Sequence, residues 1–177
     1  MLILIIGTPG CGKSEKAEEL LLRLSEEGER IYIATMIPFG PEGEERIRKH
    51  RKMREGKGFL TVECPCDLGR IKDMIPCLQD KSLLLECMSN LAGNEMHADK
   101  NADLSYDELL AGIVRDVSLL GDACRDLVIV SNSFPKEDDS YDEDTRLYVR
   151  LVEDVNALLR ERADQVYELI EGEWTAY

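Results

Sequence analysis

Two short stretches hold residue types whose spacing can do chemistry. The first, Gly7-Thr8-Pro9-Gly10-Cys11-Gly12-Lys13-Ser14, fits G-x-x-x-x-G-K-[ST]. Its glycines let the backbone curl until several N–H groups point inward, and a following helix adds its positive end, which together make a phosphate cradle. Lys13 is placed to reach the β- and γ-phosphates of a nucleoside triphosphate, and the Ser14 hydroxyl to take a position on Mg²⁺. The second stretch, residues 45–57 (ERIRKHRKMREGK), gathers seven of the 22 basic residues and one of the two histidines. The rest of the chain is acidic, with 36 carboxylates and a formal charge of −14.

As a helix over Glu44–Glu55, the basic stretch sets Arg46, His50 and Arg54 four residues apart on one face, flanked by Ile47 and Met53. One reading is a solvated basic helix or a subunit contact in which His50 is incidental. The other starts from the charge: such a concentration of cations calls for a local anion, which the phosphate loop already implies. Cations around an imidazole disfavour its protonation, so His50 is expected to be neutral and nucleophilic at pH 7. The arginines would neutralise the phosphate it attacks. A carboxylate on the Mg²⁺ side should close another buried strand. Glu86, ending SLLLE, is the best candidate, the plainer reading being a strand-end surface residue, whereas Asp126 precedes its strand.

The elements that must carry these residues alternate. LILII is a continuous apolar run that leads into the glycine loop, as for a strand covered on both faces. Ala17, Leu20, Leu21 and Leu24 give a helical stripe over Ser14–Glu27, stopped by Gly28. Strands are expected at 30–35, 59–63, 82–86, 127–132 and 165–170. Residues 36–43 read as a Pro/Gly loop, Asp67–Cys77 as a helix capped by Asp67, and 89–104 as irregular. Ser105 and Glu108 form a capping box for a helix to Leu120. A long final helix runs through Leu147, Leu151, Val155, Leu158 and Arg162, after an acidic loop over 135–144. This is an α/β fold, P-loop NTPase-like (RecA-like), with a mostly parallel sheet and helices on both faces, in a single domain over 1–177.

Six cysteines without an export signal suit a reducing cytoplasm, as small buried hydrophobes; Cys64 and Cys66 lack the second pair a structural zinc would need. The acidic balance argues against a general nucleic-acid surface, and no apolar run is long enough to span a membrane.

In order along the chain, YIAT, ERIRKH, FLTVE, LLLEC, VIVSN and NALLRERADQVYELIEG resemble the adenosylcobinamide kinase/adenosylcobinamide-phosphate guanylyltransferase family. The most specific element is R-I-x-x-H, matched by Arg46-Ile47-Arg48-Lys49-His50. The resemblance implies that His50 becomes covalently guanylylated, and that Glu63 and Glu86 contact the guanine nucleotide. It assigns the cations Arg46, Arg51 and Arg54 to triphosphate binding. It also implies ATP and GTP as substrates with Mg²⁺, a corrinoid acceptor and a homotrimer. Three segments depart from the family pattern: Thr8–Cys11 stands where members carry Gly-Ala-Arg-Ser, Ser133-Phe134-Pro135 where they carry Glu-Val-Gly, and the segment after Glu86-Cys87 is a few residues shorter. Two other readings stand beside this one, a P-loop kinase of another small alcohol and a non-catalytic nucleotide-binding module.

Overall fold

The computed structural model describes residues 1–26, 28–135, 138–170 and 173–177. Its strands are β1 (Leu2–Gly7), β2 (Arg30–Ala34), β3 (Phe59–Glu63), β4 (Ser82–Glu86), β5 (Asp126–Asn132), β6 (Gln165–Ile170) and β7 (Glu173–Ala176). The helices are α1 (Lys13–Ser25), α2 (Gly40–Arg54), α3 (Ile71–Met74), α4 (Met88–Met96), α5 (Tyr106–Ala123) and α6 (Glu143–Arg160). One seven-stranded sheet has the order β3-β2-β4-β5-β1-β6-β7, parallel except for the β6–β7 pair.

The two-residue period of the strands splits the core. Ile3, Ile5, Tyr32, Leu84, Val128 and Val130 face Ala17, Leu20 and Leu21 of α1. The alternate residues, among them Leu4, Ile6, Ile33, Leu83, Leu85 and Ile129, face the larger layer of α3–α6. A strand covered on both faces must be apolar at every position, which is why LILII and SLLLE read as unbroken runs. The parallel register aligns the strand ends: Gly7 lies opposite Asn132, and Ala34 lies opposite both Glu63 and Glu86. Every loop leaving those ends therefore emerges on one rim, where α/β sheets bind ligands.

Several expected elements differ. Residues 67–77 are not one helix: Asp67 and Cys77 adopt left-handed backbone (φ 66 and 54), Asp67 makes no side-chain cap, and only a 3₁₀ turn and α3 lie between. The segment expected to be irregular holds α4, whose Met88, Leu91 and Ala92 are buried against the sheet. The loop expected over 36–43 ends at Phe39, because Gly40–Gly43 form the first turn of α2 with Pro41 near its start. β7 has no counterpart among the expected strands; it extends the sheet and brings Trp174 onto the α1 side. Of the cysteines, only Cys64 and Cys124 are buried and Cys77 is exposed. The expected end of the first helix at Glu27 and part of the acidic loop (136–137) lie outside the described residues. Among the described residues, no helix is long and apolar enough to cross a membrane.

Candidate active site

Gly10 and Gly12 adopt φ of +79° and +91°, values that an L side chain resists, and this turns the backbone between β1 and α1 back on itself. Gly7 is constrained differently: a Cβ there would sit 2.8 Å from Cys11 Sγ. Lys13 is buried (5% exposed), and its ammonium donates to the Thr8 carbonyl at 2.6 Å, across the loop. Thr8, Pro9 and Gly10 are exposed at the tip.

Ser14 Oγ donates to Glu86 Oε1 at 2.6 Å, joining the first turn of α1 to the end of β4. Burial pushes the Glu86 carboxyl up to about 7, against the opposing pull of the Ser14 bond. Its second oxygen, Oε2, is buried without a hydrogen-bond partner among the described residues. Orphaned buried acceptors are costly. A hard cation that takes oxygen ligands would satisfy this one, and Mg²⁺ needs only one or two protein ligands because it keeps its waters. Ser14 and Glu86 thus fit the metal position expected of them.

α2 crosses the β2–β3 end of the sheet, three strands from β1. Only two of its 15 residues, Gly43 and Arg54, are buried, so apolar packing does little to fix it. Polar contacts hold it instead. The Arg54 guanidinium lies 3.4 Å over the Tyr32 ring and donates to Thr61 Oγ1, while its Nη1 is buried and has no partner among the described residues. Arg51 pairs with Glu63 at 3.0 Å, both exposed. Between α2 and β3 lies an open, cation-lined cavity of ≈ 800 Å³ walled by Arg48, Arg51, Lys52 and Arg54. Just past the helix, Gly56 and Gly58 adopt positive φ on either side of Lys57. The Lys57 ammonium reaches Glu18 Oε2 of α1 at 2.5 Å, and the Glu18 side chain is 1% exposed.

Exposure falls along the predicted face of α2, from exposed Arg46 through half-buried His50 to buried Arg54. The His50 pKa lies below its ordinary value, chiefly from burial and then from Arg54, Lys49 and Arg46. The cations expected to lower it all do so, each less than burial does. Nδ1 of His50 is buried with no hydrogen-bond partner among the described residues. The structure therefore gathers Lys13, Ser14 and Glu86 into one cluster and His50, Arg51 and Glu63 into another over the β2–β3 end, with Arg54, stacked on Tyr32, between them and near enough to Glu86 to favour its charged form.

Three further contributors carry little signal in sequence. Glu18 looks like a solvated residue of an amphipathic helix, Tyr32 like plain core, and Thr35 like a strand end. Thr35 is fully buried; its Oγ1 donates to Cys87 O (2.8 Å) and accepts from Cys87 N (2.7 Å), which fixes the chain after Glu86. The one legible hint is Tyr32, a polar-tipped residue at an inward position of β2 opposite Thr61.

Lys57→Met would leave Glu18 buried without its cation. Because Lys57 is 35% exposed, the expected loss of unfolding free energy is about 1–3 kcal/mol, below that of a fully enclosed pair. Urea denaturation measures it, and an unchanged midpoint and slope would show that the pair carries no weight.

A glycine-rich turn between a buried parallel strand and a helix, with a Lys-Ser pair and a strand-end carboxylate, defines a P-loop nucleotide-binding fold. The structure matches the ATPase domain of G40P with a TM-score of 0.56 at 12% identity, covering 96% of this chain and 69% of that one. This likeness shows the fold. No curated relative matches the sequence. Residues 3–176 match the family described as cobinamide kinase / cobinamide phosphate guanyltransferase. The chain belongs to that family, whose members are transferases of cobalamin biosynthesis.

Proposed function

We propose that the protein phosphorylates adenosylcobinamide on the hydroxyl of its aminopropanol arm and then transfers GMP from GTP to the product through a guanylylated His50. The supporting observation is that one family member combines an intact phosphate loop with an intact Arg46–His50 motif on a neutral, partly buried imidazole.

In the first step, the loop amides and Lys13 hold the triphosphate of ATP or GTP and neutralise charge developing on the transferred γ-phosphoryl group. Ser14 and Glu86 would hold Mg²⁺, which would supply further charge neutralisation. The acceptor hydroxyl oxygen bonds to the γ-phosphorus, the bond from that phosphorus to the β–γ bridging oxygen breaks to release the nucleoside diphosphate, and the hydroxyl proton passes to solvent water. In the second step, a ring nitrogen of His50 attacks the α-phosphorus of GTP, and the bond to pyrophosphate breaks. A phosphate oxygen of adenosylcobinamide phosphate then displaces the histidine, giving adenosylcobinamide-GDP. Arg46, Arg51 and Arg54 bind the phosphates, and Glu63 and Glu86 contact the guanine nucleotide. The covalent intermediate separates nucleotide chemistry from the bulky corrinoid.

His50 must approach the phosphate loop, so α2 has to move. With little apolar packing to break, that motion would part chiefly the polar contacts of Arg51 and Arg54. Pro38–Phe39 ahead of the helix and Gly56 and Gly58 behind it supply the pivots. The chain is proposed to act as a single catalytic unit, in the cytoplasm and as a homotrimer.

Incubation with α-labelled GTP tests the reading. It predicts acid-labile, alkali-stable label on the protein and phosphorylation of adenosylcobinamide by ATP. ATP consumption with another alcohol and no label would mean a simpler kinase; binding without turnover would mean a non-catalytic module.

Labelling should also follow the His50 charge. The neutral imidazole is the reactive form and is populated above its pKa, and that pKa is lowered. The labelling rate should therefore be level from pH 8 down through about 6.5, the ordinary histidine value, and fall only below it. A midpoint above that value would contradict the assigned environment.

A further inference from the structure

The acidic segment and the second histidine take no part in the chemistry above, yet they border a second cleft at the same rim. It measures ≈ 290 Å³ and lies between α4 and the start of α6. Ser89, Asn90 and Asn94 line one wall, and Thr145 and Tyr148 the other. His97 Nε2 lies 3.4 Å from an Asp144 carboxylate oxygen, linking the two helices. Gly93 makes the close approach possible: a Cβ there would meet the Tyr148 ring at 3.3 Å.

The cleft adjoins the phosphate loop. Asn132 Nδ2 donates to Ser89 Oγ at 2.6 Å, and Asn132 lies opposite Gly7 in the sheet. Ser133 N donates to the Gly7 carbonyl at 3.1 Å, and Phe134 packs against Tyr148. Ser89 itself follows the strand-end Glu86 by three residues.

The lining is the chemical opposite of the α2–β3 cavity. Among the described residues no lysine or arginine borders it, and Asp142, Glu143 and Asp144 open α6 beside it. A phosphate would be repelled there. Amides and hydroxyls instead offer donors and acceptors: the Asn90 amide bonds to none of the described residues, beside the Thr145 hydroxyl, which meets the Asp142 carboxylate that caps α6. The complementary ligand is neutral or cationic and rich in carboxamides.

We propose that the α4–α6 cleft is the acceptor subsite of the kinase step. It takes one carboxamide-bearing arm of the corrinoid and turns the terminal hydroxyl towards the phosphate loop. This rests on the substrate named under Proposed function. The volume is too small for a corrin ring, so the macrocycle stays outside, against the acidic start of α6.

The test pairs Asn90→Leu with Thr145→Val in the full chain. Steady-state phosphorylation should show the KM for adenosylcobinamide raised at least tenfold, with binding of a fluorescent ATP analogue within twofold of wild type. Equilibrium binding of adenosylcobinamide, followed by its visible absorbance, should weaken in parallel. An unchanged acceptor KM, or equal losses for acceptor and ATP, would overturn the subsite while leaving the function standing. A wild type that binds the corrinoid through these residues but does not phosphorylate it would support the subsite and reject the reaction. No binding and no turnover in the wild type would reject both.

Discussion

Replacing His50 by alanine should abolish transfer of GMP from GTP, by roughly 10³-fold or more, while phosphorylation of adenosylcobinamide by ATP stays within about threefold of wild type. The asymmetry follows from where His50 sits. Its helix lies over β2 and β3, in a different cluster from Lys13, Ser14 and Glu86, so deleting the imidazole removes no contact to the phosphate loop. The loss should be total in effect because neither the buried arginine nor the exposed ones can act as a nucleophile at neutral pH. His50→Asn preserves polarity and approximate size, and should fail equally. Parallel assays of the two reactions on one preparation make the comparison, and a coupled loss of both would mean that one site or one fold-wide defect underlies them.

Lys13→Ala should act on the other reaction. The ammonium is the one cation inside the loop, 5% exposed and turned onto the Thr8 carbonyl. Its removal takes away a fixed positive charge at the β- and γ-phosphates, with an expected loss of about 10²–10³-fold in kcat for phosphorylation. Lys13→Arg should not restore it, because a planar fork cannot occupy the space of a compact ammonium beside Cys11 Sγ, 3.8 Å away. Rates with excess acceptor and saturating ATP isolate the effect. Full activity in the alanine variant would refute the role given to the loop.

Much of this site is legible in the amino-acid sequence, for physical reasons. A phosphate cradle is made of backbone, and backbone conformation is written in glycine spacing, so Gly7–Ser14 can be read directly. The capping box of α5 is legible for the same reason: Ser105 and Glu108 satisfy local N–H groups, and both bonds form. Long-range pairing is not legible. α4 carries few apolar residues and owes its helix to burial of Leu91 and Ala92 against a sheet whose layers the sequence does not order. β7 is four residues long and exists by pairing with β6. Likewise Glu18 reads as solvated until the fold brings Lys57 to it from 39 residues away. The charge state of His50 follows in direction from its neighbours in sequence, but the largest single cause, burial, depends on how α2 lies on the sheet.

The electrostatic division of the rim also emerges only in three dimensions. Cations concentrate over β2 and β3 on the face that α1 covers, and carboxylates open α6, which packs with α4 and β5 on the other face.

The most direct measurement is mass spectrometry of the protein after brief exposure to GTP, with digestion at alkaline pH and fragmentation of the peptide spanning residues 47–51. The account predicts one GMP attached through the imidazole of His50, gained with GTP and lost when the phosphorylated acceptor is added. An unmodified peptide under conditions of active turnover, or a nucleotide on any other side chain, would contradict it.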